Sequence, residues 1–402
     1  MTALAATVDG LLALGGPGTH PASAIAAVRT AAGTQVAAGG WARLPAAGTA
    51  GVPMSADLLL DLASVTKVAA TTAAAMALTA SGELDPAVPV RRYLPSFRGG
   101  GKDDITVEQL LTHTAGLRPW WPLYCEAGDR AAALERAQAL PLAAPPATAF
   151  AYSDLGLILA GHVIEKVTGT GLAGAFAGLV AGPLGLTARY GPVPGGRAAA
   201  SADSDAYEFA MVATGRPYPV PYTTGSFARW RDHELRGVVN DGNAAHALDG
   251  VSGHAGLFAT VADLLTLGAA LRAGDLGGRA VLERFAAPSP VAPDRALGFR
   301  RRVLALGPDG GGERLTLLSH GGFTGTFFAF GVERELVIAG GAMRLYGTVG
   351  PIPASGAAPA GGPGPADAGL ADSADIHDLL LDGARRVLTG QAATPANPGE
   401  ER

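Results

Sequence analysis

The sequence has a single cysteine, and only three of its 30 lysine and arginine residues are lysines. Since Cys125 has no second cysteine to pair with, no intramolecular disulfide can form and no thiolate metal cluster can be built. The formal net charge is −5, and no long basic cluster occurs. This balance argues against nucleic acid or an anionic membrane surface as a partner. We therefore expect a small-molecule partner, and neither a metal nor a cofactor.

Long apolar runs are also missing. No stretch offers about 18 apolar residues without glycine, proline or charge, so no membrane span is predicted. The N-terminal segment lacks a positively charged start and carries Asp9 inside its apolar run, unlike a secretory signal. We expect this segment to form a helix of the fold and the protein to be cytoplasmic.

Several common enzyme motifs are absent. The sequence has no Gly-x-Ser-x-Gly, which removes the α/β-hydrolase nucleophile elbow. It has no His-Glu-x-x-His or paired-cysteine motif, which disfavours a metallohydrolase. Glycine-rich runs lack the strand, lysine and helix of a phosphate loop. His113 and His254 are better explained as residues that hydrogen-bond within loops than as metal ligands.

Strand-like runs lie at both ends of the chain, and helical patterns lie between them. Residues 22–44 predict a hairpin, and residues 314–345 predict three consecutive strands. Residues 372–388 have apolar positions at helical spacing and basic residues in the last turn, which predicts a helix packed on the sheet. Residues 350–369, rich in proline and glycine, predict a flexible loop.

These patterns predict an α/β (α+β) fold, in which an antiparallel sheet is flanked by N- and C-terminal helices and an all-helical lobe is inserted. A chain of 402 residues also exceeds what one core usually supports. We place the α/β lobe in residues 1–62 and 255–402 and the helical lobe in residues 63–254. Such lobes meet at a cleft, where we expect the active site.

The segment "SVTK" places Ser64 three residues before Lys67. If a helix begins at Val65, Ser64 is its N-terminal cap and the hydroxyl and amine share one face. A lysine, unlike an arginine, can act as a base when burial lowers its pKa. The pair is a candidate nucleophile and base, although a capping serine beside a surface lysine is an equally simple explanation.

Two further segments carry candidate site residues. Tyr152 and Asp154 precede a strongly apolar helix, where they can project into a cleft, or where Ser153 or Asp154 can simply cap that helix. His320 ends a strand-like run and is followed by Gly321 and Gly322. Such glycines let a substrate approach the backbone, and the amide of the next residue can face an oxyanion. A glycine bulge beside a hydrogen-bonded histidine is the structural alternative.

Together, the order and spacing of these segments resemble the serine β-lactamase and penicillin-binding protein superfamily. The resemblance is closest to the class C β-lactamase-like branch, with its DD-peptidases, esterases and acyltransferases, and it extends from Ala24 to Leu388. The segment "DITVEQLLTHTAGL" resembles the loop and helix that follow the nucleophile helix in that branch. The segment "GVVNDGNAAHALDGVSGHAGLFATVADLLTLGAAL" resembles its return to the α/β lobe.

The resemblance implies a role for each candidate. Ser64 would be the acylated nucleophile, Lys67 its base or proton relay, and Tyr152 the donor of a proton to the leaving group. The amides of Ser64 and Phe323 would form the oxyanion hole. His320 takes the place of the lysine in the family's Lys-Thr-Gly motif.

This sequence departs from the family pattern at three places. Asp154 stands where the best-known members have asparagine, and beside Lys67 it would favour the ammonium form and shift the base role toward Tyr152. His320 and Gly321 replace a lysine and a threonine, so recognition of a substrate carboxylate at this motif should suffer. Asn240 stands where relatives have histidine and has no assigned role, whereas its neighbour Asp241 is a possible loop cap.

The resemblance implies a serine hydrolase that acts through an acyl-Ser64 intermediate on a small ester, amide or peptide, as an esterase or DD-peptidase does. An alcohol or amine acceptor would instead make the protein an acyltransferase or peptide cyclase with the same acyl-enzyme. A ligand-binding or penicillin-binding module without turnover is a further alternative. Broad β-lactam resistance is the role that the altered third motif least favours.

Overall fold

The computed structural model describes residues 2–307, 311–352 and 369–391. Its strands are β1 (Ser23–Thr30), β2 (Gly33–Arg43), β3 (Val52–Pro53), β4 (Leu60–Asp61), β5 (Arg189–Tyr190), β6 (Ala200–Ala202), β7 (Leu235–Arg236), β8 (Leu257–Ala259), β9 (Arg300–Ala305), β10 (Arg314–Gly321), β11 (Thr326–Gly331) and β12 (Leu336–Ala342). Its α-helices are α1 (Ala3–Leu12), α2 (Ala73–Ser81), α3 (Val107–Leu111), α4 (Arg130–Ala139), α5 (Asp154–Thr168), α6 (Leu172–Phe176), α7 (Gly182–Leu184), α8 (Ala206–Thr214), α9 (Gly242–Ala247), α10 (Val261–Ala273), α11 (Gly278–Ala286) and α12 (Ser373–Thr389).

Both ends of the chain build the main sheet. Its seven antiparallel strands lie in the order β3-β2-β1-β12-β11-β10-β9. The predicted hairpin is present as β1 and β2, with Thr30 opposite Gly33, so its turn is Ala31–Ala32, one residue earlier than expected. The three predicted C-terminal strands are β10, β11 and β12. Because β1 pairs with β12, the sheet joins segments more than 300 residues apart.

Helices cover both faces of this sheet. On one face, α1 and α12 bury Leu4, Leu11, Ile376 and Leu380 against apolar side chains of the strands. On the other face, α10 lies so close to β12 that a Cβ added at Gly268 would be 2.4 Å from a methyl carbon of Val337. The chain therefore has the predicted α/β architecture, with N- and C-terminal helices flanking an antiparallel sheet.

The inserted region between β4 and β8 is mainly helical. Its apolar side chains, from α2 to α5 and the connecting loops, join one large buried cluster that extends to the α10 face of the main sheet. Strand β8 pairs with β4 and β5 where this region returns to the sheet. The lobe boundaries near residues 62 and 254 stay a prediction.

The C-terminal region follows the sequence pattern. Helix α12 begins after Asp372, whose side chain accepts a hydrogen bond from the Ala374 amide, and it ends at Gly390 in the left-handed conformation. Most of the loop predicted at residues 350–369 lies outside the described residues.

Among the described residues, no single helix is long and apolar enough to cross a membrane, and α5 with Leu172–Leu184 reaches that length and composition only as a pair bent by 75°.

Candidate active site

Ser64 lies in a strained turn directly after β4. A 3₁₀ turn spans Ala63–Val65 and runs into a π-helical segment at Lys67–Thr72, before α2. The expectation that Ser64 caps a helix was wrong, because helical geometry starts before it. The cap position of this turn is Leu62, which makes no side-chain cap hydrogen bond, and the preceding Asp61 carboxylate accepts a hydrogen bond from the Ala63 amide at 3.0 Å. Ala63 itself has a φ of +44°, which is costly for a residue with a Cβ.

Two threonines from the other end of the chain fasten this turn to the sheet. Thr324 donates to the Asp61 carbonyl at 3.0 Å, and Thr326 donates to the Leu62 carbonyl at 2.9 Å. A Cβ at Gly322 would lie 2.6 Å from the Leu62 carbonyl oxygen, so only glycine allows this approach. The third motif is thereby held against the nucleophile turn.

Lys67 is fully buried and connects Ser64 to Asp154. Its Nζ donates to Ser64 Oγ at 2.7 Å and to the His254 carbonyl at 3.2 Å, and it forms an ion pair with Asp154 Oδ1 at 2.8 Å. Burial alone would lower the pKa of Lys67, but the Asp154 carboxylate outweighs it and raises that pKa above its usual value. At neutral pH the resting enzyme therefore holds Lys67 as an ammonium.

Tyr152 closes the same cluster. The Lys67 Nζ lies 5.1 Å from the centre of its ring. Burial raises the pKa of Tyr152, although the neighbouring Lys67 charge opposes the shift. Neither Lys67 nor Tyr152 is thus a free base at rest, and acylation requires a proton to move within the cluster.

His113 holds the second motif in place. Its Nδ1 accepts a hydrogen bond from the Ser153 amide at 3.0 Å, and its ring lies 4.6 Å from that of Tyr152. Ser153 caps α5 by accepting from the Gly156 amide, which leaves Asp154 to face Lys67. The loop-supporting explanation for His113 is therefore correct.

His320 is neutral and oriented by its own strand. Its Nδ1 lies 2.8 Å from the Gly321 carbonyl, and because a carbonyl only accepts, Nδ1 must carry the hydrogen. Burial, helped by the Lys67 charge, lowers the pKa of His320 to about 3. The unprotonated Nε2 is then an acceptor, on a ring whose centre is 6.0 Å from that of Tyr152. A lysine at this position would supply a cation instead.

Phe323 follows the two glycines at the mouth of the cleft. Its side chain is partly exposed, and its ring meets the Tyr207 ring edge to face at 4.7 Å. It lines the cleft together with Ser64, Gly321 and Gly322. The oxyanion role of the Ser64 and Phe323 amides stays a prediction.

The Asn240–Asp241 segment is hydrogen-bonded to the nucleophile turn and to His254. The Asn240 amide donates to Asp61 Oδ2 at 2.6 Å, which ties this segment to the nucleophile turn. Asp241 caps α9 and contacts His254 Nε2 at 2.9 Å. Asp241 is therefore a cap, as expected, and His254 is hydrogen-bonded within its loop.

The cleft contains residues that the sequence did not single out. Its volume is about 350 Å³, and it runs past the catalytic cluster in two directions. Toward α8 it reaches Glu208, whose pKa is raised to about 8 by burial and by the charge of Asp241. Toward α12 it reaches three arginines and a histidine from distant elements: Arg295, Arg300, Arg302 and His377. Three consecutive arginines at positions 300–302 are visible in the sequence, but basic residues there were considered only as possible contacts to nucleic acid or membrane.

Ser64 contacts a buried lysine in a cleft between an antiparallel sheet and a helical region. This arrangement defines the class of serine enzymes that use a lysine beside the nucleophile. A family model described as Beta-lactamase matches residues 6–352. The chain therefore belongs to the β-lactamase family.

Individual relatives in this family have different activities by name. Over 268 residues the chain is 33% identical to N-acetylmuramyl-L-alanine amidase of Bacillus subtilis (strain 168), a match that covers 62% of this chain and 59% of the relative. Over 156 residues it is 39% identical to esterase EstB of Burkholderia gladioli, covering 34% and 39%. The matches thus span about 40 to 60% of the length of these relatives.

A solved structure matches over almost the whole chain. It is that of a D-stereospecific amidohydrolase from Streptomyces sp., with a TM-score of 0.63 and 20% sequence identity, and the match covers 97% of this chain and 99% of that one. At this identity the likeness shows a shared fold.

Proposed function

We propose that this protein is a serine hydrolase that cleaves a small ester or amide through an acyl-Ser64 intermediate. The observation that carries the proposal is the continuous contact from Ser64 Oγ through Lys67 Nζ to Asp154 Oδ1, at 2.7 and 2.8 Å. Such a chain can remove the hydroxyl proton of a serine, which is otherwise a weak nucleophile. The named activities of the amidase and esterase relatives support the same reaction class.

The proton balance follows from the resting state. Asp154 accepts a proton from the Lys67 ammonium, and the neutral amine then takes the Ser64 proton as Oγ attacks the carbonyl carbon. The bond to the leaving group breaks, and that group takes a proton from the cluster through Tyr152. Water then attacks the acyl ester, passes one proton back to Ser64 Oγ and releases the acid. Over the whole cycle, the number of protons held by Ser64, Lys67, Tyr152 and Asp154 does not change.

Labelling of the nucleophile tests the proposal. Incubation with a p-nitrophenyl ester or a fluorophosphonate should add one acyl or phosphonyl group to Ser64, detected by mass spectrometry of the peptide. Ser64→Ala should abolish both labelling and turnover, whereas Ser55→Ala, which removes an exposed hydroxyl, should change neither. Full activity in Ser64→Ala would overturn the proposal.

The identity of the acceptor separates the remaining alternatives. Release of p-nitrophenol that continues beyond one equivalent identifies an enzyme, and a single stoichiometric burst identifies a binding module. With alcohols or amines added, hydrolysis predicts the acid as the main product. A product that incorporates the added nucleophile, without appreciable acid, would make the protein an acyltransferase.

A further inference from the structure

The turn between β10 and β11 carries the Phe323 amide, and its own sequence gives it little rigidity. Residues 322–325 read Gly-Phe-Thr-Gly, and the glycines at both ends leave the backbone many accessible conformations. An oxyanion site needs the opposite, because its donors stabilise a transition state best when they are already in place. Contacts from elsewhere in the chain must therefore fix the conformation of this turn.

Hydrogen bonds within the turn set the direction of the Phe323 amide. The Gly322 amide donates to the Thr326 carbonyl at 2.7 Å, and the Gly325 amide donates to the Gly322 carbonyl at 2.9 Å. The Gly322 carbonyl and the Phe323 N–H belong to one trans peptide, so they point in opposite directions. Because the carbonyl is directed inward to Gly325, the Phe323 N–H points out of the turn. Gly322 and Phe323 both line the cleft together with Ser64.

Arg344, two residues after the end of β12, holds the next two carbonyls of the same turn. Its Nε donates to the Phe323 carbonyl at 3.1 Å, and its backbone amide donates to the Thr324 carbonyl at 3.3 Å. Its Nη1 donates to the Ala371 carbonyl, just before α12, at 2.8 Å. The guanidinium group also lies 5.4 Å from the centre of the Phe323 ring. One residue therefore fastens the turn both to the end of β12 and to the start of α12.

Arg344 acts on the site only through this turn, because it is not among the described residues that line the cleft. Without its Nε contact, the peptide between Phe323 and Thr324 can rotate, and the Phe323 amide is no longer held in one orientation. A substrate in its ground state still fits beside a misdirected amide, whereas a developing oxyanion loses one hydrogen bond. The cost should therefore fall on kcat and leave KM nearly unchanged.

We infer that Arg344 is a positioning residue for the oxyanion site: it holds the Phe323 amide toward the tetrahedral intermediate without touching the substrate. This inference rests on the proposed acyl-Ser64 chemistry and on the predicted oxyanion role of the Phe323 amide. When Ser64 Oγ bonds to the carbonyl carbon, the π electrons move onto the carbonyl oxygen. That oxygen accepts the hydrogen bond from Phe323 until the leaving group departs and the carbonyl re-forms.

The p-nitrophenol burst from p-nitrophenyl acetate tests the inference in Arg344→Met, since methionine keeps much of the apolar stem and loses every side-chain donor. The burst rate constant should fall about tenfold or more, because a misplacement of about 1 Å can cost about a hundredfold. The ester concentration that half-saturates this rate should change by less than about twofold. Arg344→Lys keeps the charge but loses the planar fork, so its rate constant should lie between the two.

Two further measurements separate positioning from general damage. The burst amplitude counts the folded, reactive sites, so partial unfolding of a variant does not alter the rate constant. Phenylboronic acid adds to Ser64 Oγ as a tetrahedral anion that resembles the intermediate. Its inhibition constant should rise in Arg344→Met by about the factor lost from the burst rate constant.

Arg91→Met is the matched control. The Arg91 Nε also donates to a backbone carbonyl, that of Asp103, but neither residue is among the described residues that line the cleft. This variant loses the same kind of contact at a different place. Its burst rate constant and its inhibition constant for phenylboronic acid should both equal the wild-type values.

The possible outcomes keep this inference separate from the proposed function. If the wild type gives no burst and no label at Ser64, the proposed function fails and this inference fails with it. If the wild type is acylated at Ser64 and Arg344→Met reacts at the wild-type rate, only this inference fails. A loss confined to the half-saturating concentration, or a slower burst with unchanged inhibition by phenylboronic acid, would also overturn it, because neither reports on the oxyanion.

Discussion

At the scale of single residues, Asp154 decides where the resting enzyme keeps its protons. Replacing it with asparagine removes the charge that raises the pKa of the buried Lys67, so burial should then lower that pKa. A neutral amine becomes available at lower pH, and the acidic limb of the acylation rate should move to lower pH. The burst rate of p-nitrophenol release as a function of pH measures this.

An exposed counterpart controls for the charge change itself. Asp57→Asn alters net charge equally but lies on the surface, so its pH profile should match the wild type. A profile unmoved in Asp154→Asn would contradict the account in which Asp154 controls the protonation of Lys67.

At this scale, the sequence predicted site residues that lie close together in the chain or that belong to a recognisable motif. Ser64 and Lys67 are three positions apart, so local geometry alone predicts their contact. Tyr152 and Asp154 were singled out by their place before an apolar helix, and the resemblance supplied their roles. His377 could not be found, because its place beside Gly321 depends on how α12 packs across the sheet, and the sequence at Gly321 shows only a missing side chain.

At the scale of elements, the strands and terminal helices followed their patterns, but the nucleophile turn did not. Its cap position is Leu62, and the Asp61 carboxylate before it accepts a hydrogen bond from the Ala63 amide. The strain at Ala63 is tolerated because threonines beyond residue 320 hold the backbone. Contacts between such distant segments leave no local trace in the sequence. A serine before an apolar run therefore gave the wrong cap.

Close packing of α10 on β12 gives a prediction for this scale. Gly268→Ala should lower the free energy of unfolding by about 1–3 kcal/mol, because its methyl group would overlap Val337. Gly178→Ala is the control: it lies in a helical segment with no atom within 4 Å of the added methyl and should be neutral or stabilising. Urea denaturation measures both. Equal stability of the two variants would contradict the packing argument.

At the scale of the whole molecule, buried acid groups make stability depend on pH. The folded state raises the pKa of Glu208 from 4.5 to about 8, so it holds a proton that the unfolded chain releases earlier. This contribution is fully present below pH 4.5 and is lost as pH rises toward 8. Between pH 6 and 8.5 we therefore expect the Tm of the wild type to fall.

Glu208→Gln removes this titration and should flatten the decline. Glu283→Gln, at a largely exposed position, should keep the wild-type slope. Differential scanning calorimetry at several pH values compares the three proteins. A slope in Glu208→Gln as steep as in the wild type would assign the pH dependence to other groups.

The joining of β1 to β12 also sets the order in which a working enzyme can arise during synthesis. Ser64, Lys67, Tyr152 and Asp154 all leave the ribosome well before Thr324 and Thr326, which hold the nucleophile turn. Strand β12, which pairs with β1, and helix α12, which carries His377, are made later still. A nascent chain thus carries its reactive residues long before it can assemble them, and we expect no acylation of Ser64 until the C-terminal strands have been released and have paired.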